Sequence, residues 1–236
     1  MDKLISPTVL KPLAPILMGV TYMSAFKDHK PTCDRYMLNY FLYLITTIVL
    51  YLTFGELNEE YGIIDSKKGL LISFIGSIII IFAFSATKNI WLRHLLYIGL
   101  LFLLAIGSKK LYDMYDKEEI NGAIKKLLLI LVVCAFIAIK FPDLIKPGLF
   151  NAAMVSLLIV ILLSLIDYFV FKGKYNKLIS TVVVFIFTIF IIHDTNSVIG
   201  KSKKCKGDKD GAEYLNHVLD MFLNIINVFN SLLNME

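Results

Sequence analysis

Six stretches of the chain, 37–54, 70–86, 90–107, 127–141, 149–171 and 177–198, are apolar, with at most two charged residues apiece. A helix of about 20 mostly apolar residues crosses a hydrocarbon core of about 30 Å. In that medium every backbone N–H and C=O must be paired inside the protein, and a helix does this within its own segment. Six such stretches therefore commit the chain to a polytopic, all-α integral membrane architecture. Composition agrees: 57% of the 236 residues are hydrophobic and 18% charged, against about 45–50% apolar in an ordinary soluble domain.

The formal charge of +5 does not indicate a nucleic-acid partner. The lysines form short clusters between apolar spans, where they meet water and lipid headgroups, and there is no basic face on a soluble domain. Cys33, Cys134 and Cys205 are odd in number and form no CxxC pair or zinc spacing, so neither a disulfide framework nor a structural metal is expected. Residues 4–25 are apolar, but Pro7, Pro12 and Pro15 interrupt them and one lysine precedes them. This reads as an irregular interfacial segment rather than a cleavable leader. The expected organisation is an N-terminal interfacial segment, 1–36, followed by one membrane domain, 37–236.

The second and third spans are separated by a very short loop and form an antiparallel hairpin. A charged connection, 108–126, holds Tyr112 and Tyr115. Pro142 closes the fourth span, and Pro147-Gly148 marks a turn. Of 24 Lys and Arg residues, 14 fall on the side of the N-terminus and 10 on the other. That excess places the N-terminus, and the lysine-rich loop 200–210, in the cytosol.

The final segment, 213–234, has an inverted pattern. Seven of its polar residues, Glu213, His217, Asp220, Asn224, Asn227, Ser231 and Asn234, stand at alternating steps of four and three. On a helix they share one narrow face. The rest of the circumference is mainly Leu, Val, Met, Phe and Ile, with Tyr214, Asn216 and Asn230 among them, the reverse of a soluble amphipathic helix. A broad apolar surface suits a membrane bundle, with the seam turned to polar partners, because an unpartnered polar group in hydrocarbon costs a few kcal/mol. The competing reading is a surface anchor with its seam in water. In the sixth span Asp194 stands at the end of an uncharged run, in His193-Asp194-Thr195-Asn196. Carboxylates at membrane depth are rare and usually functional; a helix-end residue at the water interface is the alternative. Asp167 has the same ambiguity, with Lys172 and Lys174 close behind it.

These segments together carry a resemblance. His193-Asp194-Thr195-Asn196 resembles the Asp-Thr-Gln signature of the Bax-inhibitor (transmembrane Bax-inhibitor-motif, or lifeguard) family. The run from Tyr214 to Phe229 looks like the last helix of that family's endoplasmic-reticulum branch. The specific match covers about the last 45 residues; over the rest, hydropathy and span count agree. The resemblance implies a seven-helix bundle with a central, polar-seamed last helix. It also implies a pH-sensitive calcium leak that lowers organelle calcium and restrains cell death, in the endoplasmic reticulum or another internal membrane. Its mechanism rests on two aspartates, which map to Asp194 and Asn224. Two close carboxylates in a dry site share a proton near neutral pH, and Asn224 cannot titrate. Asp220, one turn earlier, could substitute. Asn196 also replaces the family's Gln, and no arginine stands in the second span, where some bacterial members keep a latch for the dyad.

The expected activity is a passive leak for calcium or another cation, with Asp194, Asp220, Asn224 and Asn227 along the path. Calcium takes carboxylate, amide and carbonyl oxygens, and weak, transient binding at Asp194 and Asp220 suits conduction. Asp194, Asp220 and His193 are the candidates for pH sensing. The alternative is a non-conducting scaffold for membrane-protein partners, such as a viral regulator of cell death or a virion protein, in which the asparagines only tie helices together. No HExxH or GxSxG motif accompanies His193, so an enzyme is not expected; nor is any cofactor beyond the permeant ion and the lipid bilayer.

Overall fold

The computed structural model describes residues 7–62, 66–112, 114–207 and 212–235. These form eight α-helices and one two-residue-per-strand hairpin. The chain divides into two compact units, Met1–Met114 with Gly207–Val218, and Tyr115–Lys206 with Leu219–Glu236.

In the first unit, α1 spans Pro7–Ala25. The stretch that the prolines marked as irregular is helical, with Pro12 and Pro15 inside it. Each proline removes one i→i−4 bond, which membrane helices tolerate when neighbouring helices and side chains satisfy the freed groups. Here α1 packs on α2, Tyr36–Tyr61. The Thr21 and Thr46 hydroxyls meet at 2.8 Å, and Ser24 donates to Asn39 Oδ1 at 2.5 Å. Between the two helices, β1 (Phe26–Lys27) pairs with β2 (Lys30–Pro31). The turn residues Asp28 and His29 both have positive φ, 51° and 60°, as a type I′ hairpin turn requires. Cys33 is disulfide-bonded, which the odd cysteine count did not suggest.

Helices α3 (Ser66–Ala86) and α4 (Ile90–Tyr112) form the expected antiparallel hairpin. Asn89 caps α4, its Oδ1 accepting from the Trp91 and Leu92 amides at 3.0 and 3.1 Å. Small residues set how closely the pair approaches. A Cβ at Gly76 would come within 2.7 Å of Leu103 Cδ1, and one at Gly107 would collide with Ser73 Oγ. Ser73 itself donates to the Leu103 carbonyl across the pair at 2.6 Å.

In the second unit, α5 (Lys117–Lys140) opens with a capping box: Asp116 Oδ1 accepts from the Glu118 and Glu119 amides, and Glu119 returns a bond to the Asp116 amide. The helix therefore starts well before the span expected at 127, and most of the charged connection is helical. Helix α6 (Pro147–Ile166) runs into a π-helical turn, Asp167–Phe171. Buried Asp167 serves that turn. Its Oδ1 accepts from the Tyr175 amide at 3.0 Å, while its carbonyl takes the Gly173 amide. Helix α7 (Asn176–Lys204) packs on both α5 and α6. It runs six residues past the span end expected at 198 and absorbs part of the lysine-rich loop. Cys205 is disulfide-bonded and Cys134, on α5, is a buried free thiol.

The last helix, α8, spans Tyr214–Leu233. It is buried over most of its circumference, with Val218, Phe222, Val228 and Leu233 at 1% exposure or less. That does not fit a surface anchor. The oily flanks of α3, α5 and α6 carry many exposed Leu, Ile, Val and Phe side chains, a surface suited to lipid and not to water. Among the described residues five helices are long and apolar enough to cross a membrane: Tyr36–Tyr61, Ile90–Ser108, Lys117–Lys140, Pro147–Phe171 and Asn176–Lys204. Leu71–Ala86 is a shorter apolar helix.

Candidate functional site

The second unit brings Asp194 and Asn224 together. Asp194 lies ten residues before the end of α7, about 15 Å along the axis. It is therefore an interior residue of a long helix and not the helix-end group that the expected span boundary implied. Asn224 Nδ2 donates to Asp194 Oδ2 at 2.6 Å, the short, charge-assisted geometry of an amide on a carboxylate. On the other side His193 Nδ1 lies 3.2 Å from Asp194 Oδ1. The His193 ring stacks on Phe150 of α6 at 4.1 Å, which fixes the imidazole plane.

The rest of the motif diverges in direction. Thr195 bonds back to the Ile191 carbonyl at 2.7 Å, and Asn196 Nδ2 donates to the Pro142 carbonyl at 3.0 Å. Three consecutive residues thus tie α7 to α8, to itself and to the α5–α6 connection. Asn196 Oδ1 is buried without a hydrogen-bond partner.

The other expected members of the path sit differently. It is Asn224 that meets the carboxylate, at 2.6 Å; Asp220 is exposed. Asn227 Nδ2 returns to the Leu223 carbonyl of its own helix at 2.8 Å. Farther along the seam Ser231 is buried, and Asn234 Oδ1 accepts from the Tyr115 hydroxyl at 2.8 Å. Burial, and secondarily Glu119, raises the Tyr115 phenol above its ordinary range, so it remains a donor through neutral pH. Tyr112 lies where no side chain is described. Among the described residues no three of His, Cys, Asp and Glu converge as a metal cluster.

Sequence reasoning missed the polar organisation of the first unit. Arg93 Nη2 donates to Asn216 Oδ1 at 2.5 Å, and Nη1 lies 3.4 Å from Glu213 Oε1. The guanidinium also covers the Phe84 ring at 4.6 Å. It holds the N-terminal turn of α8, beside a cavity of about 700 Å³. Asn39, fully buried, accepts from Ser24 and donates to the Asp34 carbonyl and to Tyr214 Oη at 2.8 and 3.2 Å. The Tyr214 ring stacks on Tyr43 at 5.3 Å. A signal was present: Tyr36, Asn39, Tyr43, Thr46, Leu50 and Thr53 repeat at three- and four-residue steps, the spacing that revealed the seam of the last helix.

A family model described as "Inhibitor of apoptosis-promoting Bax1" matches residues 17–235. An "Uncharacterized membrane protein" of Vibrio cholerae serotype O1 (strain ATCC 39315 / El Tor Inaba N16961) is 33% identical over 84 residues, which cover 36% of this chain and 34% of that protein. The match thus spans about a third of the length of that relative.

Proposed function

The chain belongs to the Bax inhibitor family, and from that membership we propose that it passes calcium, or another cation, passively across the membrane in which it lies. The observation that carries this reading is the Asp194–Asn224 pair, a carboxylate inside a long apolar helix held by one amide at 2.6 Å. An ionisable group in that setting marks an ion pathway more often than a structural contact. The carboxylate oxygens, with neighbouring carbonyls, supply hard ligands suited to a hard cation. A single negative charge binds weakly enough to release the ion again.

On this reading the bundle has seven crossing helices with α8 at its centre. The membrane is the endoplasmic reticulum or another internal membrane, and the leak lowers stored calcium and so restrains cell death. Calcium-loaded liposomes bearing the purified protein test it. Protein-dependent efflux that changes several-fold with Asp194→Asn supports the leak; no efflux above that of empty liposomes overturns it.

A second reading has its own observation. The amide of Asn224 occupies one carboxylate oxygen of Asp194, and His193 faces the other. A carboxylate so engaged can serve purely to lock α7 to α8 in a non-conducting scaffold for membrane-protein partners. The same liposome assay separates the two.

A further inference from the structure

We propose that the first unit contains a membrane-facing site for an uncharged lipid alcohol, a molecule with an apolar body and a hydroxyl head. The site is independent of the Asp194–Asn224 pair. Helices α1 and α4 each pack on α2, and a cavity of about 530 Å³ opens between them. That volume is within the range of small-molecule sites, about 300–1,000 Å³, which are mostly apolar with a few placed polar groups. At its rim, Met18, Trp91 and Leu95 are exposed large apolar side chains, so entry is from hydrocarbon.

The lining sets the chemistry of the occupant. It contains no Lys, Arg, Asp or Glu, so a charged head would be buried without a counter-charge, at high cost. A neutral head is therefore selected. The polar floor decides whether that head donates or accepts. His94 Nδ1 lies 2.7 Å from the Ile90 carbonyl, which can only accept, so Nδ1 carries the ring proton. In the neutral imidazole Nε2 then accepts, and the Tyr43 hydroxyl 3.0 Å away donates to it. Beside this pair, Thr47 donates to the Tyr43 carbonyl at 2.8 Å. Its proton is thereby committed, and the Tyr97 hydroxyl must donate to Thr47 at 2.6 Å. Both phenol protons are spent, and both phenol oxygens keep acceptor lone pairs. These four groups accept and do not donate, although the lining also holds the Trp91 indole and the Thr21–Thr46 hydroxyl pair. The complement of the Tyr43–His94–Thr47–Tyr97 group is a hydroxyl donor, so an alcohol is preferred there to an ether or ester head.

The fold also supplies a clean way to close the site. A Cβ at Gly19, which lines the cavity on α1, meets nothing within 4 Å. A larger side chain can therefore be placed on this wall without a clash at its Cβ.

The test uses the full chain in phosphatidylcholine nanodiscs, with a diazirine-bearing diacylglycerol as the photolabel. Saturable labelling of peptides from α1, α2 and α4 is expected. Unlabelled diacylglycerol and a sterol are the two competing alcohols, and whichever competes at lower concentration identifies the source. The methyl ether of diacylglycerol should compete about two- to tenfold less well, the worth of one neutral hydrogen bond. Gly19→Leu should cut labelling at least about fivefold by occupying the cavity, with thermal unfolding unchanged. Tyr43→Phe, which removes one phenol acceptor but frees His94 Nε2 as another, should keep the preference of alcohol over ether. The proposal is overturned by any of four results: labelling that does not saturate, labelling equal in Gly19→Leu, ether competing as well as alcohol, or phosphatidic acid competing better than either alcohol. Should Gly19→Leu fail to fold, Tyr43→Phe and the competitor series still decide the matter.

Discussion

Helices α2 and α7 are both long and apolar enough to cross a membrane and both carry polar side chains, but they handle them in opposite ways. Helix α2 distributes neutral groups along its length: Asn39, Thr46, Thr47 and Thr53 are buried. Each has a partner among the hydroxyls and carbonyls around it. Helix α7 is apolar from Val182 to Ile192 but for Thr188, and then concentrates a histidine, a carboxylate, a hydroxyl and an amide in four residues, His193 to Asn196. Neutral groups in a helix interface can be satisfied in pairs, and each pair adds modest stability. A carboxylate has no neutral equivalent of that arrangement, and its presence at depth is costly unless the protein uses it. The contrast teaches that the first unit uses neutral polarity to specify packing, whereas the second holds two carboxylates within its helices, Asp167 on a π-turn and Asp194 against Asn224.

The largest expected effect tests the second half of that contrast. Asp194→Asn keeps shape and volume and removes only the charge. Calcium efflux from liposomes should change several-fold, since charge and not packing sets the local affinity for the ion. The unfolding midpoint should stay close to that of the parent. A large loss of stability with unchanged efflux per folded molecule would make Asp194 a packing group and erase the distinction between the helices.

The first half is tested at Asn39. Removing its side chain in Asn39→Ala leaves Ser24 and Tyr214 with an unfilled bond each and opens space in a fully buried position. Unsatisfied buried groups cost about 1–3 kcal/mol apiece, so a loss of about 2–6 kcal/mol is expected. Efflux per folded molecule should be unaltered. Reversible unfolding in mixed micelles measures the first quantity and liposome flux the second.

A smaller effect is expected in the hairpin of the first unit. Gly107→Ala sets a methyl group against Ser73 Oγ, and α3 and α4 must separate slightly. Overpacking of this kind costs about 1–3 kcal/mol. Gly19→Ala, where the space is open, should be neutral or slightly stabilising because it reduces the freedom of the unfolded chain. Equal losses at both positions would mean that glycine acts here through backbone freedom and not through close approach.

These particulars show what the sequence disclosed. The spans were legible because hydrocarbon imposes length and apolarity directly, and the α3–α4 hairpin followed from a loop too short for anything else. The seam of α8 was legible because its polar residues stand out against Leu, Val and Ile. The helicity of 7–25 was not, since Pro12 and Pro15 break helices in water and are tolerated only where neighbours satisfy the freed groups, a tertiary fact. The length of α7 was hidden for a related reason: Lys201, Lys203 and Lys204 signal a loop by hydropathy, yet they suit the negative end of a helix dipole. Arg93 could not be placed, because nothing local shows that residues 213 and 216 return to it. The Asp194–Asn224 pairing came from the family pattern, and its donor–acceptor sense came from geometry.

The smallest expected effect is an absence of response in the parent protein. In the family pattern two carboxylates share a proton, and repulsion between them moves one titration toward neutral pH. Here Asn224 offers an amide, whose N–H donates to Asp194 at 2.6 Å and neither gains nor loses a proton in the physiological range. Asp220 lies one turn away, about 6 Å along the helix axis, and is exposed. Efflux through the parent should therefore vary little between about pH 6 and 8, well above the ordinary carboxylate range near 4. Asn224→Asp should introduce a step in that window. At its acid end the shared proton is kept and α7 and α8 stay tied; toward its alkaline end the proton is lost, the two charges repel, and rearrangement of α8 becomes favourable. A flux titration of parent and variant side by side decides it. A steep step in the parent would assign the sensor to His193, which already faces Asp194 Oδ1, or to Asp220, and the amide would then be an anchor for a titrating partner and not a substitute for one.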